Sequence, residues 1–404
     1  MEWLARHPGD IHILAETERV RPSSIVDRDS LLREGSETAM SYVRVRYRQR
    51  VFAALVDAIR GPRQPFETFA ELSLLAEKAI GETLEIAAHD ALPPEEATRF
   101  AGKWSGGGET LPIAVLALGR LGTSEMDFAS DVDLVFVMDA VLDSAEREPW
   151  RKIMERFSNL AASLTRDGIL SPVDTRLRPR GTEGEIVQSS AYVSEYFRTE
   201  AAAWEAATYL KARPVAGNLR LGREVITAIH NICRQRFEDA AFCATELART
   251  RERLDSEGTT WEQGRPPRAE FKKVAGGFYD IEYMLAFHFL TRGVAHGVTP
   301  GGHVLRQIAA LESAGEVASG LTTSAAGTMR AGALLFRAVD HAIRIVTGHA
   351  VKGEPEASLA ERITPMLQRW GGNLRGGVGE QLAEMRKQML KLYEQTVVAR
   401  KSSG

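Results

Sequence analysis

Leu118-Gly119-Arg120-Leu121-Gly122, followed after a short polar loop by Ser130-Asp131-Val132-Asp133-Leu134-Val135-Phe136-Val137, is the stretch on which the reading of this chain turns. Alternate side chains of a strand share a face, so Asp131 and Asp133 project together while Val132 and Leu134 turn toward a core. Two carboxylates at a strand start, behind a glycine turn, point to a metal-nucleotide site. Alone, the pair would read as two surface acids on a strand edge.

Around this stretch the sequence is strand-like. Ile113-Ala114-Val115-Leu116-Ala117-Leu118 is a continuous apolar run, and 134–138 is another, the pattern of strands covered on both faces. A helix is predicted over 146–166, with Trp150, Ile153, Met154, Phe157, Leu160, Ala161 and Leu164 on one side. In Pro172-Val173-Asp174-Thr175-Arg176-Leu177-Arg178-Pro179, Val173, Thr175 and Leu177 alternate with Asp174, Arg176 and Arg178, which predicts a third strand with a polar face. Asp174 completes a three-carboxylate cluster if that strand lies beside the first two.

Farther out the chain reads as helix. Val51, Leu55 and Ile59, then Phe69, Leu72, Leu75, Ala76 and Ile80, fall at helical spacing within 30–101, with Pro62 and Pro65 marking a turn between two helices. Lys103-Trp104-Ser105-Gly106-Gly107-Gly108 reads as a linker or hairpin turn. Helices are predicted over 192–210, 225–253, 326–347 and 377–399, with breaks at Gly276-Gly277, Gly301-Gly302 and Gly371-Gly372. The expected class is α+β and predominantly helical, with a helical region over 1–105, a small sheet domain over 106–215 and a helical bundle over 216–404.

Composition narrows the function. The 404 residues are 26% charged with a formal net charge of -3, which gives no global basic field and disfavours nucleic acid as a partner. Cys233 and Cys243 are too few for a disulfide framework or a cysteine zinc site and suit a reducing compartment. No cationic-then-apolar leader opens the sequence and no apolar run approaches the roughly 20 residues of a membrane helix, so a cytoplasmic protein without membrane association is expected.

Magnesium takes oxygen ligands and is often held by one or two carboxylates plus substrate phosphates. Asp131, Asp133 and Asp174 supply such a set, and two ions there would clamp the attacking and leaving oxygens of an in-line phosphoryl or nucleotidyl displacement. Gly119 and Gly122 allow backbone N–H groups close to a triphosphate, and the Thr123 and Ser124 hydroxyls can donate to its oxygens. Arg120, Arg176 and Arg178 either receive charge on a leaving pyrophosphate or pair with the acids themselves. The histidines have no zinc spacing, and Trp3, Trp104, Trp150, Trp204, Trp261 and Trp370 read as core or interface anchors.

Gly119-Arg120-Leu121-Gly122, Glu125-Met126 and Ser130-Asp131-Val132-Asp133-Leu134 resemble the signature of the glutamine synthetase adenylyltransferases, which belong to the polymerase-beta-like nucleotidyltransferases. The resemblance continues in order through 173–179, Gly181 and Gly184, Trp204-Glu205, Lys211-Ala212-Arg213, Gly276-Gly277-Phe278-Tyr279-Asp280-Ile281-Glu282-Tyr283 and Phe336-Arg337-Ala338-Val339-Asp340-His341. It implies magnesium-dependent transfer of AMP from ATP to a tyrosine of glutamine synthetase, or the reverse phosphorolysis that releases ADP, with a PII-type signal protein as a further partner. Carried over, Asp131, Asp133 and Asp174 bind metal and Asp174 helps deprotonate the tyrosine. The nucleotide side would comprise Gly119, Arg120, Gly122, Thr123, Ser130, Arg176, Arg178, Lys211 and Arg213. For Lys211 and Arg213 a solvated helix end is the alternative, and for Glu282 the choices are ordering the site or a buried pair with an arginine.

Several positions depart from the family pattern. Arg120 replaces the usual lysine, Thr123 stands where a second glycine is commoner, and Lys272-Lys273-Val274-Ala275 differs from the usual wording before the paired glycines. Family enzymes usually carry two such modules, and this sequence holds one copy. Asp280-Ile281-Glu282-Tyr283 matches the wording of the transferring module rather than the removing one. A nonenzymatic module that senses nucleotide, and a nucleotidyltransferase for a small alcohol or an RNA end, remain as other classes.

Overall fold

The structure, a computed structural model, describes residues 7–15, 32, 34–61, 63–105, 110–139, 142–258, 271–292, 301–350, 354–372 and 376–401. Pro62, Gly106-Gly107-Gly108, Trp3, Trp261 and His296 lie outside them. Two compact units divide the chain: Met1–Val193 with Arg213–Val225, and Ser194–Ala212 with Ile226–Gly404.

After short helical turns over Pro8–Ile11 and His12–Ala15, the first unit continues with helices α1 (Ser36–Arg60), α2 (Pro65–Ala91) and α3 (Pro94–Phe100). Pro65 pre-sets the first turn of α2, and the Gln64 N–H before it donates to the Glu67 carboxylate at 2.9 Å. The sheet strands are β1 (Ile113–Ala117), β2 (Val132–Met138), β3 (Val173–Asp174), β4 (Val187–Ser189) and β5 (Arg213–Gly217). A one-turn helix, α4 (Gly119–Gly122), follows β1, and α5 (Ser144–Ala162) follows β2. β1 is flanked by antiparallel β2 and β5, and β3 and β4 pair in parallel with successive parts of β2. Every residue of β1 is buried, as its unbroken apolar run predicts, and α2 packs against both α1 and α5.

The third strand is shorter than its alternation suggests. After Asp174 the Arg176 N–H turns back to donate to Asp174 Oδ1 at 2.8 Å, so the Asp side chain replaces the strand ladder with a turn. β5 falls where the sequence suggested a helix end. Five residues containing a proline and a glycine carry little periodic signal, and only pairing with β1 makes them a strand.

The second unit is helical. The helix predicted over 192–210 divides into α6 (Ser190–Thr199) and α7 (Ala203–Tyr209), while that over 225–253 divides into α8 (Leu219–Phe237) and α9 (Ala240–Gly258). The second break lies at Asp239, whose carboxylate accepts the Phe242 N–H. Next come α10 (Phe278–Thr291), α11 (Val304–Ala314), α12 (Glu316–Ser319), α13 (Thr323–Thr347), α14 (Ala357–Arg369) and α15 (Val378–Thr396). α13, capped by Thr322 and ended by Gly348 in the left-handed region, packs on α10, α11, α14 and α15. Cys233 and Cys243 are buried free thiols, each pushed up to about 12 by burial. No described helix is long and apolar enough to cross a membrane. The α+β, predominantly helical class holds.

Candidate active site

The parallel pairing of β2 with β3 sets Val132 beside Val173 and Asp133 beside Asp174. Val132 N–H donates to the Pro172 carbonyl at 2.9 Å, which fixes this register at the strand entrance. Val132 and Leu134 are in the core and Asp133 is half-buried, as alternation along the strand predicts, while Asp131 is exposed just before the strand begins.

Arg176 gathers the acids electrostatically. Its guanidinium forks onto both oxygens of Asp174, with Nε at 2.9–3.0 Å, and also feels the charges of Asp131 and Asp133. The fork holds the Asp174 carboxyl below the usual carboxylate range, in spite of partial burial that opposes the shift. Asp174 is therefore a weak base while Arg176 remains in place. The Arg176 side chain is 72% exposed, so solvent can receive it at little cost when a stronger cation competes.

The glycine turn packs directly against this acid face. Gly119 has φ +53°, and a Cβ on it would overlap the Asp133 carboxylate. Leu118 N–H donates to the Asp133 carbonyl at 2.9 Å, tying the turn to β2. Thr123, at the commoner glycine position, is buried and its hydroxyl donates to the Arg120 carbonyl at 3.1 Å. Gly122, also buried, donates its N–H to the Leu118 carbonyl, and buried Ser130 donates its N–H to the Asp127 carbonyl.

The other three arginines each make hydrogen bonds or ion pairs of their own, and Arg178 also lowers the Asp174 carboxyl through its charge. Arg120 is half-buried and pairs at 3.5 Å with Asp127, whose side chain is fully buried. Arg178 organises the loop after β3: it donates to the carbonyls of Thr175, Thr182 and Gly184 and to the Thr175 hydroxyl. Arg213 donates twice to the Leu121 carbonyl and pairs with Glu77.

In the second unit Lys211 Nζ lies 2.9 Å from Glu282 Oε1. Burial would raise the Glu282 carboxyl, but Lys211, Arg337 and Lys272 together hold it below its ordinary value. The arginine pairing considered for the Gly-Gly-Phe-Tyr-Asp-Ile-Glu motif falls to Asp280, which is buried and accepts from Arg251 Nε at 3.0 Å and from Gly276 N–H at 2.8 Å. The N–H groups of Gly277, Phe278 and Tyr279 are consumed by the carbonyls of Val274, Phe271 and Lys272. The paired glycines thus cap α10 rather than cradle an anion: a Cβ on Gly276 would strike the Arg386 carbonyl.

Among the described residues no three His, Cys, Asp or Glu side chains form a ready cage for a metal ion. Asp131, Asp133 and Asp174 all act on the exposed Arg176, and an ion held there would have to complete its shell with water and substrate phosphate. Glu77, Asp127 and Ser73, whose hydroxyl accepts the Met126 N–H at 3.0 Å, carry no signal in the sequence. Each is an ordinary polar residue until the fold supplies its partner.

Comparison with known proteins bears on the family. The family model described as glutamate-ammonia ligase adenylyltransferase matches residues 9–227. A bifunctional glutamine synthetase adenylyltransferase/adenylyl-removing enzyme of Streptomyces coelicolor is 29% identical over 390 residues, covering 91% of this chain and 36% of that protein. Its namesake in Stenotrophomonas maltophilia is 31% identical over 258 residues, or 62% of this chain and 27% of that protein. One from Xanthomonas campestris is 29% identical over 323 residues, or 77% and 33%. The chain spans about a third of the length of these relatives. With the motif order, the β2–β3 acid register and a family match over more than half its length, this chain belongs to the glutamate-ammonia ligase adenylyltransferase family.

Proposed function

We propose that this chain is a magnesium-dependent nucleotidyltransferase module that transfers AMP from ATP to a tyrosine of glutamine synthetase in the cytoplasm. The observation that carries the reading is the register of Asp133 beside Asp174, with Asp131 at the entrance to the same strand and Arg176 under the charge of all three. Asp131, Asp133 and Asp174 would hold magnesium, which when bound neutralises phosphate charge and eases loss of pyrophosphate. The phenolic oxygen bonds to the α-phosphorus, the bond to pyrophosphate breaks, and the phenolic proton leaves to a carboxylate. Asp174 would help to take it through a carboxylate oxygen that Arg176, once swung away, no longer occupies. Released Arg176 is then free to pair with phosphate.

The reading is tested by incubating the chain with α-labelled ATP, magnesium and glutamine synthetase. Label should appear on glutamine synthetase and disappear with Asp131→Asn plus Asp133→Asn; label transfer that survives both substitutions overturns it. A second reading, phosphorolytic removal of AMP as ADP, is favoured by the relatives' names, which carry both activities. Asp280-Ile281-Glu282-Tyr283 supports the forward direction by its family wording. Phosphate-dependent ADP release from adenylylated glutamine synthetase distinguishes the two.

A further inference from the structure

We infer that Arg213 is a positioning residue that locks the glycine turn against the metal-binding face, and not a ligand of the nucleotide. The inference rests on the nucleotidyl-transfer reading for its consequence but not for its geometry. Register brings Arg213 there: β5 pairs Arg213 with Ala117, the last residue of β1, after an irregularity between Val115 and Leu116. At that point its guanidinium meets the end of α4. Nε and Nη2 donate to the Leu121 carbonyl at 3.1 and 2.9 Å, and Nη2 also pairs with Glu77 of α2.

At the end of this one-turn helix the Leu121 carbonyl accepts the Ser124 N–H at 3.1 Å and keeps a second lone pair for a donor from outside. A cation at that C-terminal end satisfies the carbonyl and favours the local dipole. α2 supplies two anchors one turn apart: Glu77 for Arg213, and the Ser73 hydroxyl for the Met126 N–H just beyond the turn. The line of contact then runs from Glu77 through Arg213 and the Leu121 carbonyl into α4, where Gly119 abuts the Asp133 carboxylate. Arg213 thus acts on the metal-binding carboxylate through backbone, and its charge is already taken up by Glu77.

Substituting both ends of the clamp separates this role from phosphate binding. Arg213→Met, Arg213→Lys and Glu77→Gln are compared with the parent for amide exchange over residues 119–125, for Mn²⁺ binding and for ATP affinity. The clamp requires faster exchange over 119–125 in Arg213→Met, by about tenfold or more, and a smaller rise in Glu77→Gln. Mn²⁺ binding should weaken in both, and kcat should fall with the KM for ATP within about twofold of the parent. A phosphate ligand would behave oppositely: Glu77→Gln would free the arginine and tighten ATP, Arg213→Met would raise its KM, and exchange would stay unchanged. That result overturns the inference. If Arg213→Met fails to fold, Arg213→Lys and Glu77→Gln carry the same comparison. Should the parent transfer no AMP, the exchange measurement still decides the clamp while the functional reading alone falls.

Discussion

Lys211 and Glu282, 71 positions apart in sequence, form a half-buried ion pair at 2.9 Å inside the second unit. The pair absorbs a lysine that its motif would give to phosphate and an acid that its motif would give to the site. Arg337 and Lys272 add to the field on Glu282, so one carboxylate is held by three cations from separate segments. Arg337 is itself buried with its guanidinium 3.7 Å from the centre of the Phe278 ring, which fixes this field in place.

Lys211→Met should therefore destabilise the protein by about 1–3 kcal/mol, the range for a hydrogen-bonded charge that loses its partner out of full solvent. Urea unfolding followed by tryptophan fluorescence measures this. A loss below about 0.5 kcal/mol would mean that Lys211 is a solvated end.

The pH dependence follows from the same pair. A depressed folded-state pKa adds stability that is present above the unfolded value, 4.5 for a glutamate, and is lost as pH falls through the lower folded value. The stability difference between the parent and Glu282→Gln should hold steady from pH 7 to about 5 and shrink below pH 4.5. Thermal unfolding of both proteins across that range reads it; a difference that grows in acid contradicts the assignment.

Asp133→Asn should lower AMP transfer by about a thousandfold, since metal charge stabilisation is worth several kcal/mol and each 1.4 kcal/mol is tenfold. The circular dichroism spectrum should be unchanged. Equal loss of folding and activity would make Asp133 a structural acid.

Arg176→Ala separates competition from catalysis. Without the shared cation the three carboxylates should bind Mn²⁺ more tightly, roughly three- to tenfold after allowance for solvent around the exposed guanidinium. Turnover should fall if Arg176, once released, pairs with phosphate as proposed. Weaker Mn²⁺ binding would show that Arg176 supports the metal face instead.

Gly119→Ala places a methyl against the Asp133 carboxylate and a non-glycine residue at φ +53°. The backbone cost alone is about 1 kcal/mol. The expected signature is a modest drop in melting temperature with a much larger loss of Mn²⁺ binding. Unaltered metal binding would separate the turn from the acids.

The sequence by itself determined the secondary structure wherever a period was long or a run was apolar. The β1 and β2 runs, the alternation of Asp133 with Val132 and Leu134 and the helical character of the rest follow from local geometry, because side-chain direction along a strand or helix is fixed by the backbone, whereas the breaks within 192–210 and 225–253 do not. It also determined the family, since ordered motifs across the chain do not depend on knowing their contacts. Tertiary structure decided what each charged residue does. Asp174 joins Asp133 only through a parallel register, β5 exists only because β1 pairs with it, and Arg120, Arg178, Lys211 and Arg213 each found a buried or half-buried partner that spacing does not reveal. The physical reason is that a partly desolvated cation must be paired or hydrogen-bonded, and the residue that satisfies it is chosen by packing across the fold rather than by neighbours along the chain.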